Sequence, residues 1–480
     1  MFTQQVILQF DEKVQNLFLR KNGNEISFDT FFNSLNLYLL KHYTDGQHLK
    51  IKCAFDGSGT IKVFYENQKG KIALFESDKL LNEVDIDLSN LGETGIIYPV
   101  FLGNFTLKSL FYEVDAPSTK ISTSIIFTTY NREDFLIPNL YKLEKCKFVD
   151  KVIIVDNAKN IKLPNDLSKN KFIVIPNDNL GGTGGFTRGM MEAKNLGTSH
   201  IFIMDDDITL LPEVVDKALS LISCLNDKHR NDWLGFSMLP NGTPTIQYEL
   251  GTEWNGIKMC LNHHGMDVSV KENLWKNQIN TYYNYSAWWS LIMPSSVIDK
   301  YHYPFPFFIK FDDIEYGLRR KEEEIILTNG FAVWHEDFDK KYNPYLEYYL
   351  FRNALVTNSL HNSKPLLHSL IRYLGKTVKK YFKGAFIVPR LMNIAISDFL
   401  KGPTYFKNLD IEKRNKEIRL IAGERINIFN GILTYPFRIL FNFFKLVLGF
   451  KKAKKLYKEQ SGSLTNETYW SGVFHNGKQE

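Results

Sequence analysis

Four short runs of apolar residues between positions 124 and 204 constrain the fold of this chain more than any other feature. They read SIIF, VIIV, FIVI and IFIM, and polar residues bound each of them. Continuous apolar runs of this length are typical of strands that are buried on both faces of a parallel sheet. The intervals between the runs are long enough for helical crossovers. The sequence therefore predicts an open α/β domain in the middle of the chain.

The pattern changes on either side of this region. Residues 1–118 contain alternating strands separated by turn sequences such as DGSG and NQKG, which predicts a small β-sandwich. The last part of the chain has helical spacing and is basic. A length of 480 residues agrees with about three domains. We expect them to span 1–118, 119–360 and 361–480.

Composition and charge narrow the function classes. The first residues lack a signal peptide pattern, and no run of about 18 apolar residues is evident. The four cysteines lie far apart without metal-site spacing, which indicates a reducing compartment. The net charge is +6, and residues 401–460 contain 14 Lys and Arg against 5 Asp and Glu. Because these basic residues belong to an amphipathic stretch, we expect a protein that does not bind nucleic acid. The missing signal peptide pattern and the cysteine spacing predict a cytoplasmic protein.

The basic stretch ends in the sequence GILTYPFRILFNFFKLVLGFKKAKKLYK, in which apolar residues lie near one helical face. Such a helix can lie in the plane of an anionic membrane, or it can pack its apolar face on the protein. Both interpretations remain open from sequence. The first predicts a peripheral protein on the inner face of the cell membrane, and a homo-oligomer is also possible.

Polar residues follow the predicted strands, where ligands bind in open α/β sheets. A single such group is more often a cap or a turn. Asp205, Asp206 and Asp207, however, are consecutive carboxylates after IFIM, and they would repel one another without a cation. In an extended chain Asp205 and Asp207 point the same way and can offer oxygen ligands to Mg²⁺ or Mn²⁺, which also binds a diphosphate.

The segment 179–189, NLGGTGGFTRG, is rich in glycine but matches neither a P-loop nor a dinucleotide-binding fingerprint. Its glycines would allow the backbone to approach a ligand closely, and Gly184 lies at their centre. A following helix would offer its amino end to an anion. A flexible turn is the alternative interpretation.

Three further groups occur downstream. Trp288 and Trp289 are adjacent and would either fill the core or stack on a sugar. Asp312 and Asp313 follow the apolar run PFFIKF, where a raised pKa would suit a general base. His335 ends the short strand FAVWH, and a third metal ligand at that place would favour Mn²⁺.

The order of these motifs (TTYNR, VDN, the glycine-rich segment, DDD, WW, DDIEYGLR and WH) resembles family 2 glycosyltransferases of the GT-A fold. It is most similar to the polymerising galactofuranosyltransferases of mycobacterial cell walls. That family carries a β-sandwich before the GT-A domain and a helical region after it. The resemblance therefore implies an α/β fold of GT-A type with these two additions.

The resemblance also implies roles for individual residues. Asp205, Asp207 and His335 would bind the metal, and Asp313 would be the base with Asp312 beside it. The remaining implied contacts are with the nucleotide or the sugars: Thr129, Arg132 and Asp156 with the uridine diphosphate, Arg188 near the phosphates, Asp206 facing the nucleotide, and Trp288 and Trp289 along the acceptor or donor sugar.

The expected reaction is an inverting transfer of galactofuranose from UDP-galactofuranose to a growing, lipid-linked glycan. Three alternatives remain from the sequence: the first is another glycosyltransferase, and the other two are proteins of a different class. A rhamnosyl or other hexosyl transferase using a UDP- or dTDP-sugar would have the same motifs. A metal-dependent nucleotidyltransferase or phosphohydrolase would leave the second carboxylate pair without a role. A non-catalytic carbohydrate-binding protein would leave both acidic clusters unexplained.

Overall fold

The computed structural model describes residues 1–278, 282–337 and 343–476, and it begins with a unit made mostly of strands. Alternate residues of these strands are buried, because successive side chains point to opposite faces. The elements are β1 (Phe2–Gln5), a 3-10 helix (Glu12–Leu17), β2 (Arg20–Asn22), β3 (Glu25–Ser27), β4 (Leu35–Asn36), α1 (Leu37–Tyr43), β5 (His48–Asn67), β6 (Gly70–Ser77), β7 (Glu83–Asp87) and β8 (Ile96–Val114).

Two long antiparallel strands, β5 and β8, organise this unit. They pair from Leu49 opposite Val114 to Glu66 opposite Ile96, and the other six strands attach to them. At the middle of the pair, a Cβ atom on Gly59 would lie 2.4 Å from the carbonyl oxygen of Leu102, so only glycine fits this close approach. The strands thus share one hydrogen-bonded network of eight strands, and its arrangement as the two layers of a β-sandwich stays a prediction.

The apolar runs form the central sheet, and its elements follow in chain order. They are β9 (Thr123–Thr129), α2 (Glu133–Glu144), β10 (Lys151–Asp156), β11 (Phe172–Pro176), α3 (Gly181–Asn195), β12 (His200–Asp205), β13 (Ile208–Thr209), α4 (Pro212–Ser223), β14 (Trp233–Gly235), β15 (Ser237–Pro240), β16 (Ile246–Gln247), β17 (Thr252–Trp254), β18 (Met259–Leu261), β19 (Met266–Asp267), α5 (Lys271–Leu274), a 3-10 turn (Lys276–Gln278), β20 (Ser290–Pro294), α6 (Val297–Tyr301), α7 (Asp312–Gly317), β21 (Ile325–Ile326) and β22 (Ala332–His335).

The central sheet has seven strands in the order β11-β10-β9-β12-β20-β14-β21. Strands β9 to β12 are parallel, as the continuous apolar runs predicted, and β20 is antiparallel to both of its neighbours. A small second sheet, β13-β22-β15, lies at the carboxyl end of β12. This mixed α/β arrangement, with strands before it and helices after it, confirms the predicted fold class.

The last part of the described chain is helical. Its elements are α8 (Leu346–His361), α9 (Pro365–Phe382), α10 (Val388–Leu400), α11 (Thr404–Lys407), α12 (Ile411–Gly423), α13 (Ile428–Gln460), a 3-10 turn (Ser461–Leu464) and α14 (Glu467–Asn476). Helix α8 packs on α10 and α13 and shares their hydrophobic core. We therefore propose that the helical region begins at α8, before the predicted boundary at 361.

One helical stretch among the described residues, 429–464, is long and apolar enough to cross a membrane. The length and the composition of this helix are the only grounds for that statement. On these grounds it differs from the sequence expectation that the chain has no membrane-spanning segment. Only 22% of its most apolar window is buried. One face packs on the protein through residues such as Tyr435, Leu446 and Tyr457, while Phe437 and Leu448 are exposed.

Candidate active site

The polar residues that follow β9, β10 and β12 meet at one edge of the central sheet. In the parallel register Asp205 lies opposite Thr128, and Asp156 lies opposite Thr129. Carboxyl ends of parallel strands meet at the same edge, so three segments that are distant in sequence become neighbours. This is the edge at which the sequence predicted a ligand site.

Asp205, Asp207 and His335 form a compact group at this edge, which we call the metal-ligand triad. Their candidate ligand atoms all lie within 4.8 Å of one another. The His335 Nε2 atom is 3.1 Å from Asp207 Oδ1 and 3.5 Å from Asp205 Oδ2. Pairing of β13 with β22 brings His335 beside Ile208, the residue after Asp207.

The orientation of His335 suits a metal ligand. Its Nδ1 atom is 2.7 Å from the carbonyl oxygen of Glu336, which can accept a hydrogen bond only from a protonated Nδ1. The Nε2 atom is then the one that faces the two carboxylates, as in metal sites where a backbone carbonyl fixes the tautomer. Burial opposes the positive charge, but hydrogen bonds to Asp205 and Asp207 raise the pKa of His335 to about 9. Two carboxylates and an imidazole fit a divalent cation such as Mn²⁺ or Mg²⁺.

Arg132 and Asp206 extend this group. The Arg132 guanidinium is 3.3 Å from Asp206 Oδ1 and also contacts Asp207. Burial raises the pKa of Asp206 to about 6, although the charge of Arg132 partly offsets the effect. Thr129 is buried and lies beside Asp206. The sequence predicted that Thr129, Arg132 and Asp206 lie together beside the triad, and in the structure they do.

Asp156 has a local role in addition to its predicted one. Its carboxylate accepts hydrogen bonds from three backbone N–H groups, those of Ala158, Lys159 and Ile161, at 2.7 to 3.0 Å. These bonds shape the loop that follows β10. The nucleotide contact that the resemblance implied for Asp156 remains a prediction.

The glycine-rich segment is the first half of helix α3, which begins at Gly181. A Cβ atom on Gly185 would lie 1.7 Å from Thr128 Oγ1, and one on Gly189 would lie 2.2 Å from Ile126 Cγ2. These glycines therefore let α3 pack directly on β9. A Cβ atom on Gly184 would meet Leu180 at 2.3 Å, so its missing side chain makes room within the helix. The close approach of a ligand to the backbone at Gly184 stays a prediction.

Arg188 differs from its prediction. It lies on the third turn of α3, about 10 Å along the helix from its amino end. Its guanidinium stacks over the ring of Phe474 in the last helix, 5.4 Å from the ring centroid. The structure thus gives Arg188 a packing role between α3 and α14, and the expectation that it lies near the phosphates is corrected.

The two tryptophans lie in the turn before β20 and belong to hydrophobic clusters on opposite sides of the central sheet. Trp288 is packed edge-on against Phe186 and Tyr316 in the core below α3. Trp289 lies on the other side, with its ring 6.4 Å from that of His335. Both side chains are buried in hydrophobic clusters, and the predicted sugar contact stays a prediction for both.

Asp312 and Asp313 are the first two residues of α7, and we call them the carboxylate pair. Thr183 of α3 donates a hydrogen bond from Oγ1 to Asp312 Oδ2 at 2.9 Å. Displacement of water by the surrounding protein raises the pKa of both carboxyls, and the charge of Asp312 adds to the effect on Asp313. A carboxylate with a raised pKa is suited to accept a proton near neutral pH.

The triad and the pair are joined through the first two turns of α3. Thr183 holds Asp312, and Gly185 touches Thr128, which lies opposite Asp205. Helix α3 therefore contacts both Asp312, the neighbour of the candidate base, and the strand end opposite Asp205.

Sequence reasoning missed two residues of this site. Thr183 was not singled out within the glycine-rich segment, although its hydroxyl is the one that fixes Asp312. Glu249 is buried with one carboxylate oxygen lacking a hydrogen-bond partner, and its charge acts on Asp313. Burial raises the pKa of Glu249 to about 7. It lies in a segment of short strands with no recognisable motif, so nothing in the sequence pointed to it.

Comparison with known proteins agrees with this geometry. Residues 124–227 match the family described as Glycosyl transferase family 2. The chain is 25% identical over 444 residues to the galactofuranosyltransferase GlfT2 of Mycolicibacterium smegmatis, an alignment that covers 84% of this chain and 68% of the relative. It is 25% identical over 429 residues to GlfT2 of Mycobacterium tuberculosis, covering 80% and 66%. The chain thus spans about two thirds of the length of these relatives.

Solved structures with similarity are more distant. Residues 1–349 of S. aureus TarS in complex with UDP are 15% identical, with a TM-score of 0.39, and the match covers 71% of this chain and 92% of that one. The mannosyltransferase PcManGT from Pyrobaculum calidifontis, in complex with GDP-Man and Mn²⁺, is 9% identical with a TM-score of 0.33, covering 76% and 91%.

Proposed function

We propose that this chain, whose residues 124–227 match Glycosyl transferase family 2, is an enzyme of the GT-A fold that transfers galactofuranose from UDP-galactofuranose to a hydroxyl of a growing cell-surface glycan, with inversion at the anomeric carbon. One arrangement supports this most, namely the triad and the carboxylate pair joined through α3. Sugar transfer from a nucleotide needs a place that stabilises the leaving diphosphate and a base for the attacking hydroxyl.

The triad would hold a divalent cation through Asp205, Asp207 and His335. When bound, this cation would supply positive charge to the diphosphate of the donor. Arg132 lies beside the triad and would add a second, permanent positive charge at the same place. Thr129 ends β9 and Asp206 directly follows β12, and both would face the nucleotide.

Asp313 is the proposed general base. The Thr183 hydroxyl fixes Asp312, and the neighbouring charges of Asp312 and Glu249 make proton uptake by Asp313 favourable. The acceptor hydroxyl attacks the anomeric carbon, and the bond from that carbon to the diphosphate oxygen breaks. The proton of the hydroxyl moves to Asp313, and the bonding electrons leave with UDP. A single displacement of this kind inverts the configuration.

The choice of galactofuranose rests on the two relatives and not on geometry. Both are named galactofuranosyltransferases, and the alignments run through most of this chain. A few contacts in a sugar pocket decide between hexoses. The donor is therefore the part of the proposal that an assay must test first.

The acceptor is proposed to be a lipid-linked glycan at the inner face of the cell membrane. Helices α9 and α13 lie side by side, and each exposes a row of apolar side chains, which together we call the apolar face. The α9 row is Leu367, Ile371, Leu374, Val378 and Phe382, and the α13 row is Phe429, Ile432, Leu433, Phe437, Leu440, Phe441, Phe444 and Leu448. Lys451, Lys452 and Lys455 are exposed at the end of this face. Apolar rows with flanking lysines suit an anionic bilayer surface.

Flotation with vesicles tests the membrane part. The full chain is expected to float with vesicles that contain phosphatidylglycerol and much less with pure phosphatidylcholine. The double variant Phe437→Ser and Phe441→Ser should lose most of this binding. Leu420→Ser is the matched control, since Leu420 is equally exposed but lies on α12. Equal flotation of all three proteins would refute the apolar face as the membrane contact.

Transfer assays test the reaction itself. The full chain with Mn²⁺ and a galactan-like acceptor is given UDP-galactofuranose, UDP-galactose, UDP-glucose or dTDP-rhamnose, and the product is analysed by NMR. We expect an inverted linkage from UDP-galactofuranose only, lost with EDTA and restored by Mn²⁺. Transfer from another sugar would overturn the donor, a retained configuration would overturn the single displacement, and release of pyrophosphate would overturn the class of enzyme.

A further inference from the structure

The turn before the carboxylate pair has an unusual backbone. Phe308, Lys310 and Phe311 have φ angles of 78°, 66° and 73°, although none of them is glycine. Residues with side chains rarely adopt this left-handed conformation, and bulky aromatic residues least of all. Such backbone persists only where surrounding structure holds it in place. We call residues 308–311 the left-handed turn, and the chain passes from it directly into Asp312.

Helix α8 holds this turn from one side. Asn353 is fully buried and donates from Nδ2 to the carbonyl oxygens of Ile309 at 3.0 Å and Lys310 at 2.8 Å. Arg352 is also buried and donates from Nη2 to the carbonyl oxygen of Phe307 at 2.7 Å. Two consecutive side chains of one helix thus bind three carbonyl groups of the turn and the residue before it.

Arg352 is itself held firmly. Its Nε atom donates to Asn353 Oδ1 at 2.9 Å, so it also fixes the amide orientation of Asn353. Its Nη1 atom donates to the hydroxyl of Tyr348 at 3.1 Å. The guanidinium lies over the rings of Tyr348, Tyr349 and Phe406, 5.0 to 5.3 Å from their centroids. None of these contacts is with a carboxylate, so the arginine serves as a hydrogen-bond donor inside an aromatic enclosure.

Helix α3 holds the turn from the other side. The backbone N–H of Thr183 donates to the carbonyl oxygen of Phe308 at 3.2 Å, while the Thr183 hydroxyl donates to Asp312. The left-handed turn therefore lies between α3 of the central domain and α8 of the helical region. Its conformation depends on both.

We propose that Asn353, oriented by Arg352, is a positioning residue that fixes where Asp312 and Asp313 stand for catalysis. This inference rests on the proposed function, because it concerns the same carboxylates. Without the two N–H donors of Asn353, the carbonyls of Ile309 and Lys310 lose these hydrogen bonds and the turn can relax. The aspartates that follow it would then move relative to the triad, and a displacement of about 1 Å can cost about 100-fold in rate.

The test compares Asn353→Ala with Asn358→Ala. Asn358 is one and a half turns further along α8, is equally buried, and donates from Nδ2 to the Gly256 carbonyl and to Ser369 Oγ. Its Oδ1 also accepts a hydrogen bond from Trp254 Nε1, and the Trp254 ring packs edge-on against Phe311. Asn358 itself makes no hydrogen bond to the left-handed turn, so it is a control for the loss of a buried amide. The full chain of each variant is assayed for kcat, for the KM of the nucleotide sugar and for thermal unfolding.

Both variants are expected to lose similar thermal stability. Asn353→Ala should lower kcat at least tenfold with donor KM changed less than threefold, because the triad that binds the donor is intact. Asn358→Ala should keep kcat within twofold. Arg352→Lys keeps the charge but cannot make all three hydrogen bonds, so it should lower kcat in the same way as Asn353→Ala.

The acidic limb of the kcat–pH profile gives a second readout. The groups that act on Asp313 are Asp312, Glu249, Tyr285 and Lys310. If the turn relaxes, Asp313 gains water and this limb should move to lower pH in Asn353→Ala, while Asn358→Ala should leave it in place.

Two kinds of failure are distinguishable. If Asn353→Ala and Asn358→Ala lose equal stability and both retain kcat and the pH profile, while Asp313→Asn is inactive, the positioning role is wrong and the proposed function stands. If wild type transfers no sugar from any donor, or if Asp313→Asn is fully active, the proposed function or its base is wrong, and the inference falls with it.

Discussion

The triad and the carboxylate pair are both acidic clusters at one site, yet the protein builds them differently. Asp205 and His335 are the last residues of β12 and β22, so backbone ladders fix them. The pair begins a six-residue helix and follows the left-handed turn, which side chains of α8 and a backbone N–H group of α3 hold. The first cluster is fixed by regular structure, and the second by a few buried polar contacts. The triad should therefore tolerate change nearby better than the pair.

The largest expected effect is at the pair. Asp313→Asn keeps the size of the side chain and removes its ability to accept a proton, so we expect kcat to fall by about 10²–10⁴-fold. Donor binding, measured as the Kd of UDP with Mn²⁺, should stay within about threefold. The control is Asp216→Asn, since Asp216 accepts backbone hydrogen bonds from Lys147 and Phe148 far from the site. An Asp313→Asn enzyme with the kcat of wild type would remove the pair from the chemistry.

A smaller effect of another kind is expected at the triad. His335→Ala removes one ligand and should raise the concentration of Mn²⁺ needed for half-maximal activity by about 10- to 100-fold. High Mn²⁺ should then restore part of the rate, because both carboxylates remain. His200→Ala serves as the control, as His200 begins the strand that Asp205 ends. An unchanged Mn²⁺ requirement in His335→Ala would show that His335 does not bind the cation, contrary to the proposed role of the triad.

The same contrast explains what the sequence could predict. Asp205, Asp207 and His335 were found because each ends or follows an apolar run. Asp205 and Asp207 lie at an edge where strand ends of a parallel sheet meet, whereas His335 reaches them through the small second sheet. The glycine-rich segment was predicted to approach a ligand, but Gly185 and Gly189 instead pack on β9. Glycine permits close approach of any neighbour, and the sequence does not say which one.

The residues that the sequence could not reveal act over long separations. Asn353 reaches the turn across more than 40 positions of the chain, and Thr183 reaches Asp312 across 129. No spacing or periodicity encodes such contacts, because they arise only when α3 and α8 have packed around α7. The left-handed residues before Asp312 also give no signal, since Phe and Lys do not favour that conformation.

The packing of α3 on β9, which links the triad to the carboxylate pair, can be tested at Gly185. An alanine Cβ at this position would lie 1.7 Å from Thr128 Oγ1, so α3 would have to move away from β9. We expect Gly185→Ala to lower the free energy of unfolding by about 1–3 kcal/mol, measured by chemical denaturation. Gly182→Ala is the control in the same helix, where the nearest atom is 3.8 Å away. Equal stability of both variants would mean that α3 does not couple the clusters by close packing.

The last expected effect is a change of stability with pH at Glu249, near the carboxylate pair, and it reaches its full size only above pH 7. Burial raises the pKa of Glu249 from 4.5 to about 7, so between these pH values the folded protein binds more protons than the unfolded chain. Stability therefore falls as the pH rises through this window. Glu249→Gln cannot ionise, so its stability relative to wild type should grow from near zero at pH 4.5 to about 1–3 kcal/mol above pH 7. Glu25→Gln, at an exposed position of β3, should show no such trend. A difference in stability that does not change with pH would mean that water reaches the Glu249 carboxylate in the folded protein. The region around Asp313 would then be solvated, as the partly exposed side chain of Asp205 is in the triad.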